Sequence, residues 1–365
     1  MRCTRHCCCL ALACVVVVLA VPKALPAEPQ SAPPPAARLA APLHWTEPFA
    51  RLPACGAYVS MLQRNGQYEL WTVAWEGMNK GGSHADLIQL SVARGPSPEQ
   101  LGETQVVQEL RPLLNDVFDP KQPGRLAPWR AMTRGYMIHD PEAGYVLFGC
   151  VAPEYLPGSV PLLPAIFVSA EGQPGTWSYL GILKPEPKAE SERRDRPVWS
   201  DGGGIVHLPN GRWRIYLNGY NRGIGAAEAE KLEGPWKFLR DAQGDILDLT
   251  PQRGGIFPGV LRVSEEEWHM WVSDTWPVKE IRHLWSKDGL AWELYGRQPE
   301  ITQESIGGRP IKCLRAYVDA AGKHIVGLLS IADKWKGDEE TWICHRSRMP
   351  VGPPPEKDAT SQPAE

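Results

Sequence analysis

The chain of 365 residues carries 39 basic and 42 acidic side chains, which gives a formal net charge of -3 at pH 7. A near-neutral balance without a long basic run argues against a nucleic-acid partner. The chain also contains 35 glycines, 36 prolines and 15 tryptophans. Many turn residues combined with many large aromatic side chains favour an all-β protein.

The first 27 residues have the pattern of a secretory signal peptide. Arg2 and Arg5 precede an apolar run from Cys7 to Val21, and Ala27 is a small residue suited to cleavage. The apolar run is shorter than the roughly 20 residues that a membrane-spanning helix needs. We therefore expect export, to the periplasm or the extracellular space, and no membrane span.

A lipoprotein is the alternative interpretation of this segment. Residues 11–14 read ALAC, which resembles a lipidation site at Cys14. The valine run follows Cys14, where a lipidated mature chain would begin, and this favours cleavage further along the chain.

Low-complexity segments enclose one folded region. Residues 28–42 form an Ala/Pro-rich linker, residues 350–365 form a tail that we expect to be disordered, and residues 43–349 remain as the domain. The four cysteines beyond the signal peptide lack zinc-binding spacing, so we expect buried thiols rather than a metal site, although export would permit disulfides. These cysteines are Cys55, Cys150, Cys313 and Cys344. The sequence indicates no cofactor and no structural calcium ion, and it carries no sign of an oligomeric state.

A β-hairpin that recurs five times sets the predicted fold. Each copy has an alternating apolar strand, a tight polar turn and a second strand that is usually rich in aromatic residues. The copies span residues 57–73, 136–150, 203–220, 258–274 and 312–330, with turns centred near 66, 143, 211, 266 and 321. This spacing fits one four-stranded blade with its loops, so the sequence predicts a five-bladed β-propeller.

The second half of each unit repeats as well. Trp177, Trp236 and Trp292 occupy equivalent places on a Trp-bearing strand in three of the units, and we expect them to pack between blades. The last unit supplies only a third strand, at residues 341–348. We expect the segment from His44 to Phe49 to provide the missing fourth strand and close the ring.

Several of these segments resemble the five-bladed propeller glycoside hydrolases, such as families 43, 32 and 117. The resemblance covers about residues 45–349 and rests on the hairpin ends YLNGY and HMWVSD and the turns SKDGLAWE and EKLEGPWKF. It implies a carbohydrate substrate and hydrolysis by two aspartates and one glutamate at the starts of inner strands. Only the third inner strand opens with a carboxylate here, Asp201. Glu233 matches the triplet EGP that often carries the acid, but it lies in an outer turn on the opposite face, where we expect a structural role.

Candidate catalytic residues follow from the propeller topology, which places first-strand starts and second-to-third-strand loops around the central cleft. Glycoside hydrolysis needs two carboxyl groups that flank the bond. The candidates are Asp201, Asp274 and Glu154, with His84 or His283 as substitutes for a carboxyl acid.

Candidate substrate-binding residues lie at the same ends of the strands. They are Trp75, Asp86, Trp129, Arg130, Trp199, Arg253, Trp276 and Arg309. Tryptophan rings stack on sugar rings, although ordinary packing between blades is the alternative for each. The three arginines open inner strands at comparable places. If they converge, either nearby acids such as Asp201 offset their charge, or the substrate carries a carboxylate or sulfate, which arginine binds through paired hydrogen bonds. A structural ion pair between blades is the alternative for each arginine.

Three functions remain open at this point. The first is an exported glycoside hydrolase that acts at a chain end, because a propeller funnel often admits one terminus. The second is a catalytically silent carbohydrate-binding or scaffold propeller, which the incomplete carboxylate pattern favours. The third is another sugar chemistry on the same fold, such as transfer or elimination.

Overall fold

The computed structural model describes residues 43–52, 60–75, 88–114, 129–153, 163–183, 201–219, 223–250, 255–274, 277–319, 322, 324–332 and 339–347. These residues form five small antiparallel sheets arranged as a five-bladed β-propeller, as predicted. No helix in this part of the chain is long and apolar enough to cross a membrane.

Each blade contains four strands in order from the axis outward. One strand precedes them all, β1 (Thr46–Arg51). Blade 1 consists of β2 (Ser60–Arg64), β3 (Gln67–Trp75), β4 (Ile88–Gly95) and β5 (Gln105–Glu109). Blade 2 consists of β6 (Trp129–Asp140), β7 (Gly144–Pro153), β8 (Leu163–Ser169) and β9 (Ser178–Ile182). Blade 3 consists of β10 (Asp201–His207), β11 (Trp213–Asn218), β12 (Ile224–Ala229) and β13 (Lys237–Phe238).

The last two blades depart slightly from this plan. Blade 4 consists of β14 (Ile256–Arg262), β15 (Trp268–Ser273), β16 (Glu280–Ser286) and β17 (Glu293–Leu294), with β18 (Ile301–Thr302) also paired to β16. Blade 5 contains β19 (Ile311–Val318), β20 (His324–Ala332) and β21 (Glu339–Ser347). Short 3-10 turns occur at Arg111–Leu113 and Glu304–Ile306.

The N-terminal strand closes the ring. β1 pairs antiparallel with β21, with Thr46 opposite His345 and Arg51 opposite Trp342. Blade 5 therefore takes its fourth strand from the other end of the domain, which confirms the expectation from the sequence. This arrangement covers the outer edge of β21, which would otherwise be the last strand of a three-stranded blade.

All five expected hairpins are present as the connections from first to second strand. In blade 1, Asn65 and Gly66 have φ values of 49° and 74°, the left-handed conformations of the type I′ turn that Asn-Gly favours. Trp177, Trp236 and Trp292 are buried between blades, as predicted. Cys150, Cys313 and Cys344 are buried, and Cys55 lies outside the described residues.

Glycines allow the inner strands to approach one another closely. A methyl group on Gly203 would overlap Pro258 of the neighbouring strand β14, so the glycine triplet that follows Asp201 serves a close approach of two backbones. A methyl group on Gly259 would likewise overlap the carbonyl oxygen of Leu314 in β19. A side chain at either position would force two inner strands apart.

We expect Gly259→Ala to lower the free energy of unfolding by about 1–3 kcal/mol, because the overlap is with backbone that cannot rotate away. Gly296→Ala is the matched control, since a methyl group there meets nothing within 4 Å. It should change stability by less than about 1 kcal/mol. Urea unfolding of both variants measures the difference, and equal stabilities would show that the inner strands are loosely packed.

Candidate functional site

The propeller has two chemically different faces. We call the face at which the inner strands β2, β6, β10, β14 and β19 begin the cleft face, and the opposite face, which carries the first hairpin turns, the turn face. The predicted substrate-binding and catalytic residues belong to the cleft face.

Two side chains cross the central axis. The hydroxyl of Tyr136 in blade 2 donates a hydrogen bond of 2.6 Å to the carbonyl oxygen of Val260 in blade 4. Arg315 of blade 5 donates a hydrogen bond of 2.7 Å to the carbonyl oxygen of Gly135 in blade 2. Blades 2 and 4 are not neighbours in the ring, and neither are blades 5 and 2. These bonds therefore span the axis, and they close the funnel from below.

The two crossing side chains also contact each other. The guanidinium carbon of Arg315 lies 4.9 Å from the ring centroid of Tyr136, a cation–π distance. Burial raises the pKa of the Tyr136 hydroxyl, and the charge of Arg315 opposes this only in part. Tyr136 is therefore a neutral hydrogen-bond donor at physiological pH. The floor of the funnel is a positively charged side chain on an aromatic ring.

Asp201 opens the inner strand of blade 3 on the cleft face. It pairs with the fully buried Asn218 of β11. Gly204, three residues further along β10, lies beside Val260 at the level of the axial contact. At about 3.3 Å per residue, Asp201 begins the strand about 10 Å from that contact, toward the cleft face.

Asp274 anchors a loop at the cleft face. Its Oδ1 atom accepts hydrogen bonds of 3.1 Å from the backbone N–H groups of Lys279 and Glu280. The same loop forms a bridge from Val278 to Ile311, the first residue of the inner strand of blade 5. The carboxylate thus holds the loop between blades 4 and 5.

Glu280, at the start of β16, is a second acidic residue at this end of blade 4. Its Oε1 atom lies 2.5 Å from the guanidinium of Arg282, and both side chains are about one quarter exposed. Because the two residues alternate with the buried Ile281, they share one side of the sheet.

The other predicted residues divide into two groups. Trp75 ends β3, Trp129 and Arg130 begin β6, and Arg309 precedes β19, so all four occupy cleft-face positions. The remaining five lie outside the described residues: Glu154, Asp86, Trp199, Arg253 and Trp276. His84 also lies outside them. Within the described part of the chain, no group of three or more His, Cys, Asp or Glu residues could hold a metal ion.

Glu233 lies on the turn face, as the topology predicts. It lines a cavity together with Glu142 from the first hairpin turn of blade 2 and Gly211 from that of blade 3. This position is remote from the cleft-face ends of the inner strands.

His283 does not face the cleft, contrary to expectation. Its side chain is 3% exposed and lies between blades 4 and 5, stacked on Trp271 and Tyr295 at centroid distances of 4.7 Å each. It belongs to a buried polar chain that runs from Glu267 through His269 and His283 to Glu300 and Arg346. The ring nitrogens of the two histidines are 2.9 Å apart, and Glu300 contacts both His283 and Arg346.

Burial controls the protonation of this buried chain. Burial, with the charge of His283, lowers the pKa of His269 to about 4, and burial also lowers the pKa of His283. Burial alone would raise the pKa of Glu300, but His283 and Arg346 outweigh it and hold the pKa below its ordinary value. The buried chain therefore holds the ion pair of Glu300 with Arg346, two neutral imidazoles and the carboxyl group of Glu267, which contacts His269.

The axial residues Tyr136 and Arg315 were not singled out from the sequence. The only sequence signal for them is that a phenolic and a charged side chain stand within first strands, which line the axis. The buried chain has no such signal, because Glu300 and Arg346 come from irregular or outer segments.

Comparisons with known proteins support the fold. No protein-family model matches the chain, and no curated protein matches it. A family 117 glycoside hydrolase from Zobellia galactanivorans superposes with a TM-score of 0.54 at 14% identity, covering 81% of this chain and 90% of that one. A thermostable family-43 glycoside hydrolase gives 0.51 at 13% identity, covering 85% and 100%.

A third similar structure contains a ligand. The exo-β-1,3-galactanase from Phanerochaete chrysosporium with β-1,3-galactotriose gives a TM-score of 0.52 at 8% identity, covering 86% of this chain and 67% of that one. At these identities the likeness establishes the fold alone, and it confirms the expected resemblance to families 43 and 117 at that level.

We expect the ring of Tyr136 to contribute more to stability than its hydroxyl. Tyr136→Phe removes one hydrogen bond and should lower the free energy of unfolding by about 1 kcal/mol. Tyr136→Ala also leaves the axis unfilled and should cost about 3–5 kcal/mol. Urea unfolding compares the two variants, and similar losses would contradict a floor built on the ring.

We expect stability to fall as the pH decreases from about 6.5 toward 4. His269 has a lower pKa in the folded state than its ordinary value of 6.5, so in this interval the unfolded chain binds more protons. The loss should reach roughly 2–4 kcal/mol. His269→Gln should flatten the slope, whereas the exposed control His324→Gln should keep it. Urea unfolding across this interval tests this, and an unchanged slope in His269→Gln would place the sensitivity elsewhere.

Proposed function

We propose that this chain is an exported glycoside hydrolase that cleaves a poly- or oligosaccharide in the cleft-face funnel by carboxylate chemistry. The observation that carries the proposal is the position of Asp201, which opens an inner strand about 10 Å from the axial floor. The shared fold with glycoside hydrolases, one of them bound to galactotriose, supports it.

The chemistry requires one carboxyl group to protonate the leaving oxygen and a second one to activate water or attack the sugar. We assign Asp201 to one of these roles. Asp274 and Glu280 are engaged, the first with backbone amides and the second with Arg282. These contacts favour Glu154, which follows the second strand of blade 2, as the partner of Asp201, with Asp274 as the alternative.

The closed axis favours action at a chain end. A sugar chain that enters the funnel cannot pass through the level of Tyr136 and Arg315, so it has to present a terminus. Trp75 and Trp129 would stack on sugar rings at the rim, as would Trp199 and Trp276. Asp86 would accept hydrogen bonds from their hydroxyl groups.

An anionic substrate extends this proposal. Arg130, Arg253 and Arg309 precede or open inner strands on the cleft face, and the buried Arg315 adds a positive charge below them. A uronic acid or a sulfated sugar would offset these charges.

A catalytically silent carbohydrate-binding propeller is the second candidate function. The engagement of Asp274 and Glu280 favours it, because both have structural partners. It retains the tryptophan rim and the arginines but lacks an acid–base pair. Export, which either function requires, rests on the signal-peptide pattern of residues 1–27.

We expect Asp201→Asn to lower turnover by at least about a hundredfold without loss of folding, because the change keeps the shape of the side chain and removes its charge. The substrate would first be found by screening the purified protein against neutral and anionic polysaccharides and aryl glycosides. Initial rates and urea unfolding of both proteins provide the measurement.

Glu233→Gln on the turn face is the control and should keep the wild-type rate. If Asp201→Asn retained full activity, the assignment of Asp201 would be wrong. If the wild-type protein bound oligosaccharides but cleaved none of them, the silent propeller would be the better description.

A further inference from the structure

A cavity of about 380 Å³ opens between blades 2 and 3 on the turn face. Its walls are apolar side chains from both blades, and its rim carries charged groups. The wall residues are Ala143, Val168, Leu180, Trp213 and Leu232, and the polar groups are Glu142, His207, Glu230, Lys231 and Glu233.

The repeat explains why this seam is open. In blade 1, Glu69 of the second strand is paired with Arg94 of the third, and in blade 3 Arg214 is paired with Glu228. The positions of blade 2 in the same register are Val146 and Val168. Two valines thus replace an ion pair of long side chains, and Val168 is a wall of the cavity.

The neighbouring seams show what fills this space elsewhere. Between blades 1 and 2, the guanidinium of Arg64 lies over the ring of Tyr145 at 4.7 Å from its centroid. Between blades 3 and 4, Arg214 lies over Trp268 at 5.8 Å. In both cases an arginine of one blade covers the first aromatic residue in the second strand of the following blade. At the seam between blades 2 and 3, the corresponding aromatic residue is Trp213.

The polar groups of the cavity favour a cation. The rim carries three carboxylates and one ammonium group. His207 stacks parallel to Trp213 at a centroid distance of 4.4 Å, and its Nδ1 atom lies 2.7 Å from Asp140 Oδ2. Asp140 also accepts the backbone N–H groups of Glu142 and Ala143. A bound cation would meet carboxylates at its charged end and leucine and valine side chains along its stem.

We propose that this cavity is a binding site for an organic cation, a guanidinium or protonated amine on an apolar stem, which occupies the place that an arginine side chain fills at the neighbouring seams. The site lies on the face opposite the funnel, and it does not depend on the proposed hydrolase activity.

The test compares two probes of equal shape, butylguanidinium and its neutral isostere butylurea, by isothermal titration calorimetry and by the NMR signal of the Trp213 indole N–H. We expect saturable binding of butylguanidinium that shifts this signal, and at least tenfold weaker binding of butylurea. Equal affinity for the two probes, or no saturable shift, would overturn the proposal.

Variants test whether binding depends on the carboxylates of the cavity or only on the net charge of the surface. Glu230→Gln with Glu233→Gln should weaken butylguanidinium binding at least tenfold. The control Glu265→Gln with Glu266→Gln, an equal charge change in the exposed turn of blade 4, should leave it within twofold. Equal weakening by both pairs would refute the site. Val146→Glu with Val168→Arg, which copies the pair of blade 1, should fill the cavity and abolish binding. If that variant fails to fold, butylguanidinium binding to the variant with Glu230→Gln and Glu233→Gln decides whether the proposal stands.

Discussion

Each blade of this protein has to bury both faces of its sheet against its two neighbours, because the closed ring leaves no other cover for them. The second strands of blades 2, 3 and 4 satisfy this requirement with two aromatic positions each. Tyr145, Trp213 and Trp268 pack against the preceding blade, and Phe148, Tyr216 and Trp271 pack against the following one. All five hydrophobic clusters contain residues of two adjacent blades. The core is therefore a set of five seams rather than one interior.

The buried glutamates of these seams have charged or hydrogen-bonding partners. Glu69 accepts hydrogen bonds from Trp71, Arg94 and Tyr145, and Glu228 contacts Arg212 and Arg214. An unpaired charge in such a place would carry a large desolvation penalty, which these pairings avoid. Where the network is missing, between blades 2 and 3, the result is a cavity.

The fold could be predicted from the sequence because the residues that determine it form local patterns that repeat. The Asn65–Gly66 turn, the aromatic second strands and Trp177, Trp236 and Trp292 recur at blade spacing. The closing strand could be predicted because the last unit supplied only three strands.

The candidate site was harder to predict from the sequence, because its contacts join residues that are remote in sequence. No local pattern predicts that Arg315 reaches Gly135, or that His283 lies under Tyr295 rather than in the cleft. Asp274 was predicted to be catalytic from its cleft-face position, but a carboxylate after a strand serves equally well as an acceptor for loop amides.

The pairing of β1 with β21 also governs the order in which the ring can form. Blades 1 to 4 are each built from one continuous stretch, so their contacts form between residues close in sequence. The contact between Thr46 and His345 joins the two ends of the domain. A contact so distant in sequence costs the most loop-closure entropy and forms slowly. The ring therefore stays open until the last strand is available. A circular permutant with β1 placed after β21 would make blade 5 continuous as well, and only the packing of blade 5 against blade 1 would still join the two ends of the chain.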